Sequence, residues 1–509
     1  MNLRLGQSAH LAGLLLRFFR RRVLRVGMLR ARAVRAAAAV LALTLFGVLC
    51  AAAYLFLEPL ALSPELWDLM FEISTVSLVL WVMGAFLVIK VLFINAADML
   101  ELTYQLPVTN RERALAFLLY EAAITGVVVA LGFSALAVSS LALMGAAALP
   151  YLFTAFAVPA VAVYLGLGVL YHLLVRFWTV LRLGGTAGLL SVIVLFMLLV
   201  WYSTGINGAI IAITDAHLDG AGAFRWQTAV AWLWNRSPVL TAAACLAAFV
   251  VLIGLNLVLT PNQHVRQSKF LAVFTGGRAR RVLHPYDYCL VRNSQTVVAV
   301  VITVVLFAYL LLAGNRVNPM WSLVALSTAG LYHYSGTEPL RRLPIAARSA
   351  AAVYARLCKG QALLIAAFAL PQFLIGAFVV PAAMADSATA VLGAFAGIVL
   401  TLWVSVVFPS EKNNPFSILL GIACAAVVFG LIAIGLGMLN LPAPVTRAVI
   451  ACCAAAIVAH SIVEIHDNES KRRNREEVQN RPGVARELPG DHDGRDRGGV
   501  DAAHVLYER

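Results

Sequence analysis

Two short stretches of this chain carry residue types at a spacing that can do work, and the work would be docking rather than bond-making. Residues 95–121 read NAADMLELTYQLPVTNRERALAFLLYE and residues 332–358 read YHYSGTEPLRRLPIAARSAAAVYARLC; each follows one apolar run and enters the next. Leu106-Pro107-Val108 aligns with Leu343-Pro344-Ile345, and Arg111 with Arg348. In the first copy Asp98, Glu101 and Leu102 suit a short amphipathic helix along a membrane face. Pro107 then breaks the backbone, because it has no N–H and disfavours helix in the residue before it. Thr109 followed by Glu112 is a capping box, which lets the next helix start with its first amides satisfied. The result is a rigid elbow. The second copy keeps the bend through Pro339 and Pro344 and adds Glu338, Arg341 and Arg342, but it has no capping box. The alternative for either copy is an ordinary tight turn between neighbouring helices.

Other chemistry is hard to build from these residues. No GxxxxGK[ST] loop is present to cradle a nucleotide phosphate, and no HExxH zinc motif occurs. His460, Glu464 and His466 are near one another, but only the first two share a helix face, which suits a satisfied interfacial pair better than a metal site. Ser335-Gly336 lacks the surroundings of an intramembrane nucleophile. The seven cysteines are scattered without CxxC spacing, which argues against a disulfide framework and a zinc site. Lys90, Glu121, His172, Asp386, His460 and Glu464 lie mostly within a turn or two of the ends of apolar runs, where long side chains reach water cheaply. No catalytic residue, metal or resident cofactor is expected.

The elements that must position the two elbows are membrane spans. The chain is 61% hydrophobic and 13% charged, with a mean hydropathy of +0.86. Continuous Ala-, Leu- and Val-rich runs of about 20 residues, each able to cross a bilayer of about 30 Å, recur along it. Outer-membrane strands would instead alternate in polarity over about 10 residues. The spans read as 35–57, 73–94, 114–144, 150–173, 185–205, 239–259, 294–313, 318–335, 353–379, 387–408, 416–438 and 442–463. The expected fold is therefore an all-α polytopic membrane protein of about twelve helices. With both termini inside, all but Arg225, Arg236, Arg316 and Arg447 of the 39 Lys and Arg fall on the inner face. The reverse orientation would carry every arginine from Arg4 to Arg35 across the bilayer. The formal charge of +14 is then explained by topology and anionic headgroups, and no nucleic-acid partner is expected.

The spans divide into two six-helix halves, 35–259 and 294–465, each with its elbow between the second and third span. An even number of spans makes the repeat parallel. Residues 1–34 form a basic cytoplasmic segment without a signal-peptide pattern; within it, 10–33 read as a surface helix with Leu14, Leu15, Phe18, Phe19 and Val23 on the apolar side. Residues 260–293 are a basic linker, either a second surface helix or a solvated strand of chain. Residues 206–238, with Trp226, Trp232 and Trp234, are the one long outer segment, a surface or re-entrant helix pair or an ordered interfacial loop. Charged, Gly- and Arg-rich residues 466–509 suit a disordered cytoplasmic tail. Pro159 and Pro371 should kink their spans.

A Leu-Pro-hydrophobic-x-x-Arg turn after the second span, leading into a third that begins on the inner face, resembles the permease subunits of bacterial ABC-2 type exporters. The corresponding loop there commonly reads like LPVSRRE. The match covers about 25 residues per half, together with the span order. The resemblance implies that the loop carries a coupling helix docked on a separate ATPase subunit, that ATP and Mg²⁺ sit on that partner, and that an unidentified substrate is exported across the bacterial cytoplasmic membrane. The second copy departs from the pattern, with Ala346-Ala347 in place of polar residues and no acidic residue after Arg348. The main rival is an ion-coupled secondary transporter, which would need ionisable groups buried at mid-membrane; an intramembrane enzyme is the more distant one.

Overall fold

A computed structural model describes residues 4–23, 32–59, 64–94, 103, 106–219, 225–260, 270, 284–312, 317–343, 349–409, 421–422, 424–425, 430 and 442–479. Among these the chain is helical, with no strand beyond an isolated bridge between Phe270 and Asn293. The described residues include nine helical runs long and apolar enough to cross a membrane. This is the form such a composition requires, because backbone amides at bilayer depth must be satisfied within their own segment.

The helices are α1 (Leu5–Val23), α2 (Arg32–Leu57), α3 (Pro64–Ile94), α4 (Asn110–Met144), α5 (Val158–Val180), α6 (Ala187–Leu218), α7 (Ala229–Arg236), α8 (Pro238–Leu259), α9 (Pro285–Arg292), α10 (Ser294–Leu312), α11 (Ala350–Val379), α12 (Ser387–Val407) and α13 (Ala443–Gln479). Two apolar cores organise them. One is built around Trp67, Phe71, Phe86, Tyr164 and Leu195 of α3, α5 and α6; the other around Tyr286, Leu323, Leu357 and Leu402. The α6 and α10 helices pack together across the two.

Several boundaries differ from the hydropathy reading. The α6 helix is unbroken from Ala187 to Leu218, so the first part of the expected outer segment is helix, and among the described residues of that segment α7 forms a separate short helix. A π-helical turn over Leu152–Ala157 runs directly into α5 and places Pro159 in its first turn, so irregular winding stands just before the proline. Pro371 does lie inside α11. Residues 466–479, expected in the disordered tail, instead continue α13 to Gln479, and the rest of the expected tail lies outside the described residues. The span expected over 416–438 and the basic residues of the linker before α9 fall almost wholly outside the described residues.

The largest departure lies at 318–335, expected as one plain span. Here the backbone alternates tight and regular turns: a 3₁₀ helix at Pro319–Ser322, one α turn at Leu323–Leu326, a second 3₁₀ helix at Ser327–Tyr332 and a further α turn at His333–Gly336. Most residues of this segmented element are buried.

Candidate functional site

The first elbow is held by local chemistry. Val108 N–H donates to the Leu106 carbonyl at 2.8 Å, closing a three-residue turn on Pro107. Thr109 caps α4: its Oγ1 accepts from Glu112 N–H at 3.4 Å while its own N–H donates to Glu112 Oε2 at 2.9 Å. Arg113, which the motif reading passed over, binds the bend together. Its guanidinium donates to the Thr103 carbonyl at 3.2 Å, Asn110 Oδ1 at 2.7 Å and the Val108 carbonyl at 3.4 Å.

Glu112 does more than cap. Its Oε1 accepts from the backbone N–H of Arg4 at 3.2 Å, so one buried carboxylate serves the starts of both α4 and α1. Below it Leu11, Ala12 and Leu15 of α1 pack on Ala116, Tyr120 and Ile124 of α4, with Val108 at the edge. The α1 helix therefore begins earlier than expected and turns Leu15 and Phe19 onto the protein, leaving Leu14 and Phe18 exposed; the side chain of Val23 lies outside the described residues. The elbow presents outward Leu106, Pro107 and Arg111, with Val108 and Thr109 half-buried. Asp98, Glu101 and Leu102 lie outside the described residues.

The second copy is anchored differently. Arg341 is buried, its Nε donating to Glu469 Oε1 of α13 at 2.8 Å, its Nη1 to the Tyr334 carbonyl and to Thr337 Oγ1, and its guanidinium lying 3.7 Å from the Tyr334 ring centre. Arg472 pairs with the same carboxylate at 2.6 Å and donates to the Arg341 carbonyl at 3.1 Å. Arg341 is thus committed to α13, while Glu338 and Arg342 form an exposed pair at 2.6 Å and Leu343 is exposed. Ser349, unmarked in the motif reading, caps α11 through Ala352 N–H. Pro344, Ile345 and Arg348 lie outside the described residues.

Three further features stand out within the bundle. Lys90 and Glu121 form a 2.5 Å ion pair between α3 and α4, with the ammonium 4.5 Å from the Tyr171 ring centre. A groove of about 680 Å³, lined almost wholly by apolar side chains, follows one face of α4 from Leu115 to Val138 against α3 and α5. At the opposite end of the first half from the elbow, Asp68, Glu72, Tyr151, His217 and Trp234 line a smaller pocket of about 350 Å³. His460 accepts from Trp403 Nε1 at 3.2 Å, and among the described residues no three His, Cys, Asp or Glu are grouped to hold a metal. Comparison with family models, curated proteins and solved structures finds no match to this chain.

Proposed function

We propose that this chain is the membrane-spanning permease of an ATP-driven exporter, powered by a separate nucleotide-hydrolysing subunit that grips the first elbow. The observation that carries this is the elbow's construction: an exposed Leu106-Pro107 tip beside Arg111, on a base fixed by the Arg113 hydrogen bonds and the Thr109–Glu112 cap. A stiff base under an apolar, basic tip transmits a push instead of absorbing it, and shape plus a few charges suffices for such a contact. On this reading both termini are cytoplasmic, the chain crosses the bacterial cytoplasmic membrane about twelve times as two six-helix halves, and Mg²⁺ and ATP belong to the partner. The buried Lys90–Glu121 pair is what speaks for an ion-coupled carrier instead.

The test is a tagged chain purified with its native complex, followed by ATP hydrolysis. The Leu106→Asp, Pro107→Gly variant is expected to insert and purify normally while losing at least tenfold of the co-purifying ATPase activity. Undiminished activity would overturn the docking role. Solute movement by the isolated chain under a proton gradient alone would overturn the ATP-driven reading altogether.

A further inference from the structure

The segmented element carries a column of polar groups through an otherwise apolar core. At one end Asn318 Nδ2 donates to Ser387 Oγ at 3.2 Å. Next, Ser322 donates to Gln372 Oε1 at 3.2 Å. Further along, Thr401 donates to the Ser327 carbonyl at 2.8 Å, and Gln361 lies beside His333, Nε2 to Nδ1, at 3.5 Å. From Asn318 to His333, at about 1.5 to 2.0 Å per residue, the column rises roughly 22 to 30 Å, close to the hydrocarbon thickness of about 30 Å.

Two properties separate this column from ordinary interhelical glue. First, its glutamines are under-satisfied: Gln361 Oε1 and Gln372 Nε2 have no protein partner, although their residues are only 2% and 4% exposed. Turning either amide over exchanges its two ends without supplying a partner to both. A buried polar atom left unpaired costs about 1–3 kcal/mol, and here two lie in one column. Second, glycine lets these polar side chains close directly onto bare backbone. A Cβ on Gly330 would lie 2.4 Å from Thr401 Oγ1 and 2.7 Å from Gln361 Oε1, and one on Gly397 would lie 2.4 Å from Ser327 Oγ. Irregular backbone at bilayer depth is tolerated where it is buried in protein or lines water.

We propose that this column is a hydrated path through the second half, and that what the permease passes along it is an uncharged, hydrogen-bonding solute rather than a lipid. Its named groups are amides and hydroxyls with the His333 imidazole at the far end, able to exchange hydrogen bonds with such a solute and carrying no carboxylate, lysine or arginine among them. The solute class rests on the permease reading; the hydration does not.

The experiment uses the full chain with its native cysteines replaced, in lipid nanodiscs, and the small neutral thiol reagent 2-hydroxyethyl methanethiosulfonate. Single cysteines at Ser322 and Ser327, nearly isosteric changes, are compared with one at Ala329, a core position 1% exposed. The S322C and S327C proteins are expected to react at least tenfold faster than A329C, and adding Gln361→Leu with Gln372→Leu is expected to slow S327C at least tenfold. Monodisperse elution and complete labelling in detergent denaturant establish that each variant is folded and each thiol intact. Reaction of S322C and S327C no faster than A329C would mean dry interhelical contact and would overturn the path. Because no ATPase is present, that failure leaves the elbow reading standing, and an inert elbow variant leaves the path standing.

Discussion

At the scale of single residues, the two arginines that hold the elbows are distinguished by where their partners lie in sequence. The capping box was legible because Thr109 and Glu112 are three positions apart and both types are specific to the task. Arg113 was not, since its acceptors are mostly backbone carbonyls, which any residue supplies. Arg341 looked like a surface charge for a partner, yet its carboxylate is 128 positions away on α13, beyond the reach of local pattern. Removing one member of a buried pair leaves the other charge stranded, at about 3–5 kcal/mol. Arg472 still neutralises Glu469, so Arg341→Ala should fall near the lower end. We expect a lowered melting temperature for Arg341→Ala and for Glu469→Gln, and less than additive loss when the two are combined. Full additivity would mean that the 2.8 Å contact contributes nothing to stability.

Among the elements, hydropathy located apolar runs well and their winding poorly. A run of apolar residues reports how much of a segment avoids water, not whether its hydrogen bonds span three residues or four; the 319–336 element therefore read as a plain span. The same limit applies to α1, whose apolar residues were legible as a stripe while the choice between lipid and α4 was not. Leu15 is 5% exposed and Leu14 is 41% exposed, which turns that ambiguity into a measurable contrast. Leu15→Asp forces a charge into the cluster with Leu11 and Tyr120 and should free α1 to unwind, opening the backbone at the already exposed Arg17, Arg20 and Arg21 to trypsin. Leu14→Asp should leave tryptic protection as in the parent chain. Equal cleavage of the two variants would mean that α1 is not held by this face.

For the whole molecule, the distribution of arginine and the geometry of α6 make one joint statement about orientation. The helix runs unbroken from Ala187 to Leu218, roughly 48 Å at about 1.5 Å per residue, longer than the hydrocarbon layer of about 30 Å. On the proposed topology its two ends face different compartments, with Arg182 just before one end and Asp219 just after the other. On the proposed orientation, the positive-inside bias puts the Arg182 end in the cytoplasm together with both elbows. Two apolar cores meeting along α6 and α10 tie the second half to the same frame, so Arg342 should share the compartment of Arg182. In cells expressing a cysteine-free chain, a membrane-impermeant maleimide added outside should label Asp219→Cys, and should label Arg182→Cys and Arg342→Cys only after the membrane is opened. Labelling of Arg182→Cys in intact cells would invert the molecule and put the first elbow out of reach of any ATP-hydrolysing partner. Labelling of Arg342→Cys alone would separate the halves and leave the first elbow as the sole docking point.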